Sequence, residues 1–171
     1  MGSAGTNYGV SFGTSAQALI DEDAGGSGNF ANEPSPDTIA YFLSQGNLVM
    51  NVAAGFTTGF SFFYASSVAG SVTVYDGLNA TGNILGTLGL VDNFTACTAA
   101  GVPTGTIACW DPIGVAFGGT ALSVSFAGAA NRTGFDDITI GSATPGVPEP
   151  GTLVLLGIGL TALAVRRRRS S

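Results

Sequence analysis

Apolar and polar residues alternate with a period of two over most of residues 8–141. In Ala121-Leu122-Ser123-Val124-Ser125-Phe126, the apolar Leu122, Val124 and Phe126 fall on one side and the serines on the other. A half-buried strand has this pattern because successive side chains point to opposite faces of a sheet. Val72 and Val74 alternate in the same way with Ser71, Thr73 and Tyr75, and Ile138 and Ile140 with Asp137 and Thr139. Further strands are predicted over Tyr8–Phe12, Thr38–Leu43, Leu48–Ala53, Phe60–Tyr64, Ile84–Leu88 and Gly114–Phe117. Roughly nine short strands, punctuated by turns such as Asp76-Gly77 and Gly118-Gly119, predict an all-β antiparallel β-sandwich over residues 1–142. A helical turn is expected only near Ser15–Ile20. The stretches near 21–37 and 92–111 lack strand character and are expected to be surface loops.

The pattern changes abruptly after residue 142. Ala143-Thr144-Pro145-Gly146 reads as a linker that continues through Val147-Pro148-Glu149-Pro150. The prolines hold the backbone extended. Gly151 to Val165 then runs as fifteen uncharged, mostly apolar residues and ends in Arg166-Arg167-Arg168-Arg169. A helix of that length reaches roughly 22 Å at 1.5 Å per residue, against a hydrocarbon core of about 30 Å. Snorkelling arginines and local thinning can absorb the shortfall, so residues 151–165 are expected to form a short transmembrane helix and residues 166–171 a basic cytoplasmic tail. Arginine excess beside a short span stays on the cytoplasmic side, which puts the sandwich outside. The opening MGSAGTNYGVSFG has neither a basic n-region nor an apolar h-region, so an export signal is expected upstream of Met1.

Composition narrows the chemistry. The 171 residues are 45% hydrophobic and only 9% charged, with 27 glycines and no histidine. All five basic residues are arginines, so a Ser-His-Asp relay, a His-ligated metal, a Schiff-base lysine and a P-loop lysine are all excluded. Residues 1–145 hold ten acids and the single base Arg132, whereas residues 146–171 hold Glu149 and four arginines. A body this acidic cannot supply the row of phosphate contacts that nucleic-acid binding needs.

The order Val147-Pro148-Glu149-Pro150, apolar helix, Arg166 to Arg169 resembles the PEP-CTERM sorting signal of exopolysaccharide-producing Gram-negative bacteria. That resemblance implies transient residence in the inner membrane and processing by exosortase after export, near the Pro-Glu-Pro element. It also implies a final location at the cell surface or outside the cell. The body resembles the jelly-roll ectodomains found above such tails, on the stretches Gly28-Asn29-Phe30-Ala31-Asn32-Glu33-Pro34-Ser35, Gly70-Ser71-Val72-Thr73-Val74-Tyr75-Asp76-Gly77 and Gly134-Phe135-Asp136-Asp137-Ile138-Thr139. No catalytic activity follows from it.

Cys97 and Cys109 are the two cysteines. An even count on an exported domain favours a disulfide between them, with free thiols as the alternative. If Ile138 and Ile140 face the core, Asp136 faces it too, and a buried carboxylate needs a partner. Arg132, loop amides or a structural Ca²⁺ are the options, with Asn29, Glu33 and backbone carbonyls of the early loop as the other calcium ligands. Jelly-roll domains of the carbohydrate-binding type place a calcium between an early loop and the last strand, so the resemblance points the same way. Asp21-Glu22-Asp23 reads as a solvated loop, with cation binding as its alternative. Trp110 reads as packing beside Cys109 or, with Tyr64 or Tyr75, as a platform for a sugar ring. Glu33 and Asp136 could form a glycosidase pair, but no aromatic platform surrounds them in sequence, and the protein is not expected to be an enzyme. The expected function is structural or adhesive, in an extracellular polysaccharide layer. The alternative is a carbohydrate-binding module with a defined glycan site.

Overall fold

The computed structural model describes residues 8–35, 37–43, 48–96, 105–127 and 130–146. The sorting element 147–150, the apolar helix 151–165, the basic tail 166–171 and Cys97 lie outside these residues. Among the described residues there are eight strands: β1 (Val10–Phe12), β2 (Gln17–Ile20), β3 (Thr38–Tyr41), β4 (Leu48–Ser66), β5 (Gly70–Tyr75), β6 (Ile84–Leu90), β7 (Asp111–Ala127) and β8 (Thr133–Ile140). All their pairings are antiparallel.

Hydrogen bonding links the strands into one continuous sheet, yet that sheet forms two layers. Phe126 of β7 pairs with Leu48, and Val115 of β7 pairs with Phe60. Leu48 and Phe60 would stand about 40 Å apart on a straight strand at ~3.3 Å per residue. The rings of Phe60 and Phe126 nevertheless lie 5.9 Å apart. The β4–β7 ribbon is therefore folded over. The fold falls where the pairing register slips between Asn51, Phe56 and Thr58, at Gly55 (φ +72°) and, on the partner strand, Gly119 (φ +87°). A register slip bends a ribbon and increases its twist, and the left-handed φ at both glycines costs little without a Cβ. One layer runs β1, the first part of β4, the last part of β7, β5, β6. The other runs β2, β3, β8, the last part of β4, the first part of β7. The result is the antiparallel β-sandwich read from the periodicity.

The fold-over merges four of the nine predicted strands into two, and β2, which was not predicted as a strand, brings the number among the described residues to eight. Leu48–Ala53 and Phe60–Tyr64 are two arms of β4, and Gly114–Phe117 and Ala121–Phe126 two arms of β7. The helical turn expected near Ser15–Ile20 is instead β2, which pairs with β3 from Gln17↔Tyr41 to Ile20↔Thr38. Between the layers Phe60, Phe62, Phe126 and Phe135 are fully buried and meet mostly edge to face, with Phe126 and Phe135 centroids 4.7 Å apart.

The segments expected as surface loops depart from that expectation. Phe30 and Ile107 are fully buried and form a second apolar cluster with Ile39 and Ala65. A parallel bridge joins Phe30 to Ile107, with Ile107 N donating to Asn29 O (2.7 Å) and Ala31 N to Ile107 O (3.2 Å). Each segment supplies the other's backbone partners, so neither needs a strand of the main sheet. At the opposite end, the chain after β8 lies across β4 and β7. Ser61 Oγ donates to Ser142 O (2.9 Å). A Cβ on Gly59 or Gly114 would run into the Ser142–Ala143 backbone, so these two glycines form the groove in which the start of the linker rests.

Candidate functional site

The loop between β2 and β3 gathers three carboxylates. Asp21, Asp23 and Glu33 have oxygens within 4.8 Å of one another, around a polar cavity of about 190 Å³ that Asn32, Ser35 and Asp37 also line. Local chain geometry places them. Gly26 N donates to Asp21 O (2.7 Å) and Glu22 N to Phe30 O (2.9 Å), closing residues 21–30 into a compact turn. Asp21 Oδ1 accepts from Ala24 N (3.1 Å) and Asp23 Oδ2 from Asn32 N (3.2 Å). Glu22 points elsewhere and accepts from Thr106 Oγ1 (2.8 Å).

The electrostatics are those of acids without a counter-charge. Among the described residues the single cationic side chain is Arg132, and it lines a different cavity. Burial, followed by the hydrogen bond to Asp21, pushes Glu33 up to about 7. Burial also works against the charge on Asp21, but hydrogen bonds with Glu33, Asp23 and the Ala24 amide hold it below the usual carboxylate value. Asp23 is raised, first by its hydrogen bond with Asp21 and then by burial. Glu33 Oε2 is buried with no hydrogen-bond partner. Three oxygens converging on one polar space, one of them orphaned, form a donor set suited to a hard divalent cation such as calcium.

The residues singled out in the sequence are distributed as follows. Glu33 joins Asp21 and Asp23, a grouping the sequence reading missed. The spacing Asp21-x-Asp23 was its available signal, since the intervening Glu22 turns away. Asp136 is buried but does not share a side with Ile138. A bulge at Asp137 (φ +47°) interrupts the alternation of β8, and Phe135 rather than Asp136 enters the main core. Asp136 instead meets the early loop, accepting from Ser35 N (2.7 Å) and Ser35 Oγ (2.6 Å). Of the three options for its partner, the structure uses a loop amide and hydroxyl. Asn29 is not brought to the carboxylates and lines the cavity that holds Arg132.

Trp110 is half-buried and packs on Phe30 with ring centroids 6.2 Å apart. Its Nε1 donates to Ala31 O (2.9 Å), so both its ring and its polar handle are engaged in holding the loop. Tyr64 is buried. Cys109 is buried, with Sγ 3.8 Å from Phe94 O. Its expected partner Cys97 lies outside the described residues, and the bridge stays a proposal. Among the described residues no helix is long and apolar enough to cross a membrane.

Residues 146–169 match the model of the PEP-CTERM protein-sorting motif. No curated protein matches the chain in sequence. Solved structures similar to it include a carbohydrate-binding module from Clostridium stercorarium in complex with cellobiose, at 14% identity and TM-score 0.45, covering 77% of this chain and 86% of that one. A module from the Cellvibrio mixtus lichenase 5A in complex with cellotriose has 15% identity and TM-score 0.44, covering 75% and 88%. The cleaved K3 adhesin domain of Lys-gingipain from Porphyromonas gingivalis has 17% identity and TM-score 0.40, covering 76% and 93%.

Proposed function

We propose that this chain, whose C-terminal end carries the PEP-CTERM sorting motif, is an exported protein held briefly in the inner membrane of a Gram-negative cell and cut by exosortase near Pro148-Glu149-Pro150. Its β-sandwich then acts structurally or adhesively in an extracellular polysaccharide layer. The matched motif carries this reading. The structure adds a physical reason why cutting there would leave the body intact. The last described residues, 141–146, are tied to the sheet through Ser61 and through Thr139 Oγ1, which accepts from Gly146 N (3.2 Å). Among the described residues the last strand of the sandwich ends at Ile140, ahead of the sorting motif. Mass spectrometry of the protein from a host that contains exosortase is expected to show loss of the chain beyond about residue 150. An intact C-terminus there would overturn the reading.

The acidic loop supports a structural role for calcium in this body. Asp21, Asp23 and Glu33 would hold the ion, with a proton leaving Glu33 as it binds. The ion would supply the positive charge that the protein does not place there. Its work would be to stiffen the loop that packs under Trp110 and over Ile107. The Cys97–Cys109 bridge would staple the neighbouring segment, worth roughly 3 kcal/mol in the chain-entropy estimate.

A further inference from the structure

The loop that carries the acidic cluster also forms one wall of a second cavity, of about 420 Å³, lined by Asn29, Ser67, Phe94, Ile107, Asn131 and Arg132 among others. Its volume falls in the range of small-molecule sites. Arg132 is the single cation among the described residues, it is exposed, and no described carboxylate lies within ion-pair distance of it. On a body with ten acids, an unpaired arginine at the rim of a cavity is unusual. Its backbone is nonetheless fixed: Arg132 O accepts from Ser67 N (3.0 Å) and Ser66 Oγ (3.3 Å), and Asn131 N donates to Phe42 O (2.8 Å). The opposite wall is fixed too, through the Ile107–Asn29 and Ile107–Ala31 backbone bonds and the Thr106–Glu22 contact. The guanidinium thus stands on a rigid base with its fork free, the state in which arginine binds a carboxylate in bidentate fashion. Asn29, Asn131 and Ser67 offer hydroxyl-compatible donors and acceptors, and Phe94 offers an apolar face.

We infer that this cavity binds a carboxylate-bearing sugar, with Arg132 on the carboxylate and the Asn and Ser side chains on ring hydroxyls. The inference rests on the proposed location in a polysaccharide layer. The surrounding negative charge selects further: a polymer charged on every ring is repelled by the acidic body, whereas a single acidic residue in a neutral glycan is not. Placement agrees with the role. The cavity lies at the start of β8 and the chain leaves toward its sorting motif from the other end, about 25 Å away along an eight-residue strand.

The test is calorimetry of the full chain in mild detergent with a neutral xylotriose and with the same trisaccharide carrying one glucuronate. Wild type is expected to bind the acidic form at least tenfold tighter. Arg132→Ala should remove that preference without moving the melting temperature, and Arg132→Lys should restore only part of it. Equal binding of the two sugars, or a preference that survives in Arg132→Ala, would overturn the inference. So would a failure to bind either sugar. In all of these cases the mass of the processed C-terminus still tests the export reading separately.

Discussion

The inter-layer core and the loop end of this sandwich are held together by different forces. Between the layers, Phe60, Phe62, Phe126 and Phe135 are fully buried and contact one another through their rings. At the loop end the apolar cluster shrinks to Phe30, Ile39, Ala65 and Ile107. The remaining order there comes from polar contacts: Ser35 on Asp136, Thr106 on Glu22, Trp110 on Ala31, and Asn93 bridging Ser66, Tyr64 and Asp111. Burial of apolar surface is indifferent to protons and ions, whereas carboxylate networks respond to both. Stability is thus concentrated in the core and sensitivity to the surroundings in the loops.

The core should give the largest response to substitution. Phe126→Ala removes a ring that touches Phe60, Phe62 and Phe135 and is expected to cost about 3–5 kcal/mol. Thermal unfolding should show the melting temperature fall by roughly 6–20 °C, at ~2–4 °C per kcal/mol for a chain of this size. That loss should be the same with chelator as with calcium. Ser35→Ala strikes the loop end, leaving Asp136 buried with only the Ser35 amide as partner. A cost of about 1–3 kcal/mol is expected, read by denaturant titration, with amide exchange faster in residues 21–37 than in β4 or β7. Uniform acceleration across the sheet would erase the proposed division.

The loop end should also respond to pH and to calcium. In the folded protein, burial and the Asp21 hydrogen bond push Glu33 up to about 7, above its ordinary value of 4.5. The fold then binds more protons than the unfolded chain between these values, so its contribution is complete below about pH 4.5 and is lost as pH rises through about 7. In chelator the melting temperature should decline by a few degrees across that window, and Glu33→Gln should flatten the decline. Millimolar calcium should raise the melting temperature more at pH 8 than at pH 5, because the ion displaces the Glu33 proton. At a hundredfold excess over its dissociation constant the gain is about 2.7 kcal/mol. A chelator-insensitive, pH-flat melting curve would remove the cation site.

Local sequence alone determined much of this protein. The alternation in Ala121–Phe126 or Val72–Tyr75 forces a strand with one buried face, and the run from Pro148 to Arg169 is a linear signal readable without any fold. What tertiary structure decided were matters of long range. Whether Leu48–Ala53 and Phe60–Tyr64 are two strands or two arms of one depends on pairing with β7, which no local pattern encodes. The bulge at Asp137 reversed the side on which Asp136 lies. The meeting of Asp21 and Asp23 with Glu33, and of Asn29 with Arg132, joins residues across loops. Their proximity arises only when the buried Phe30 and Ile107 draw those loops onto the end of the sandwich.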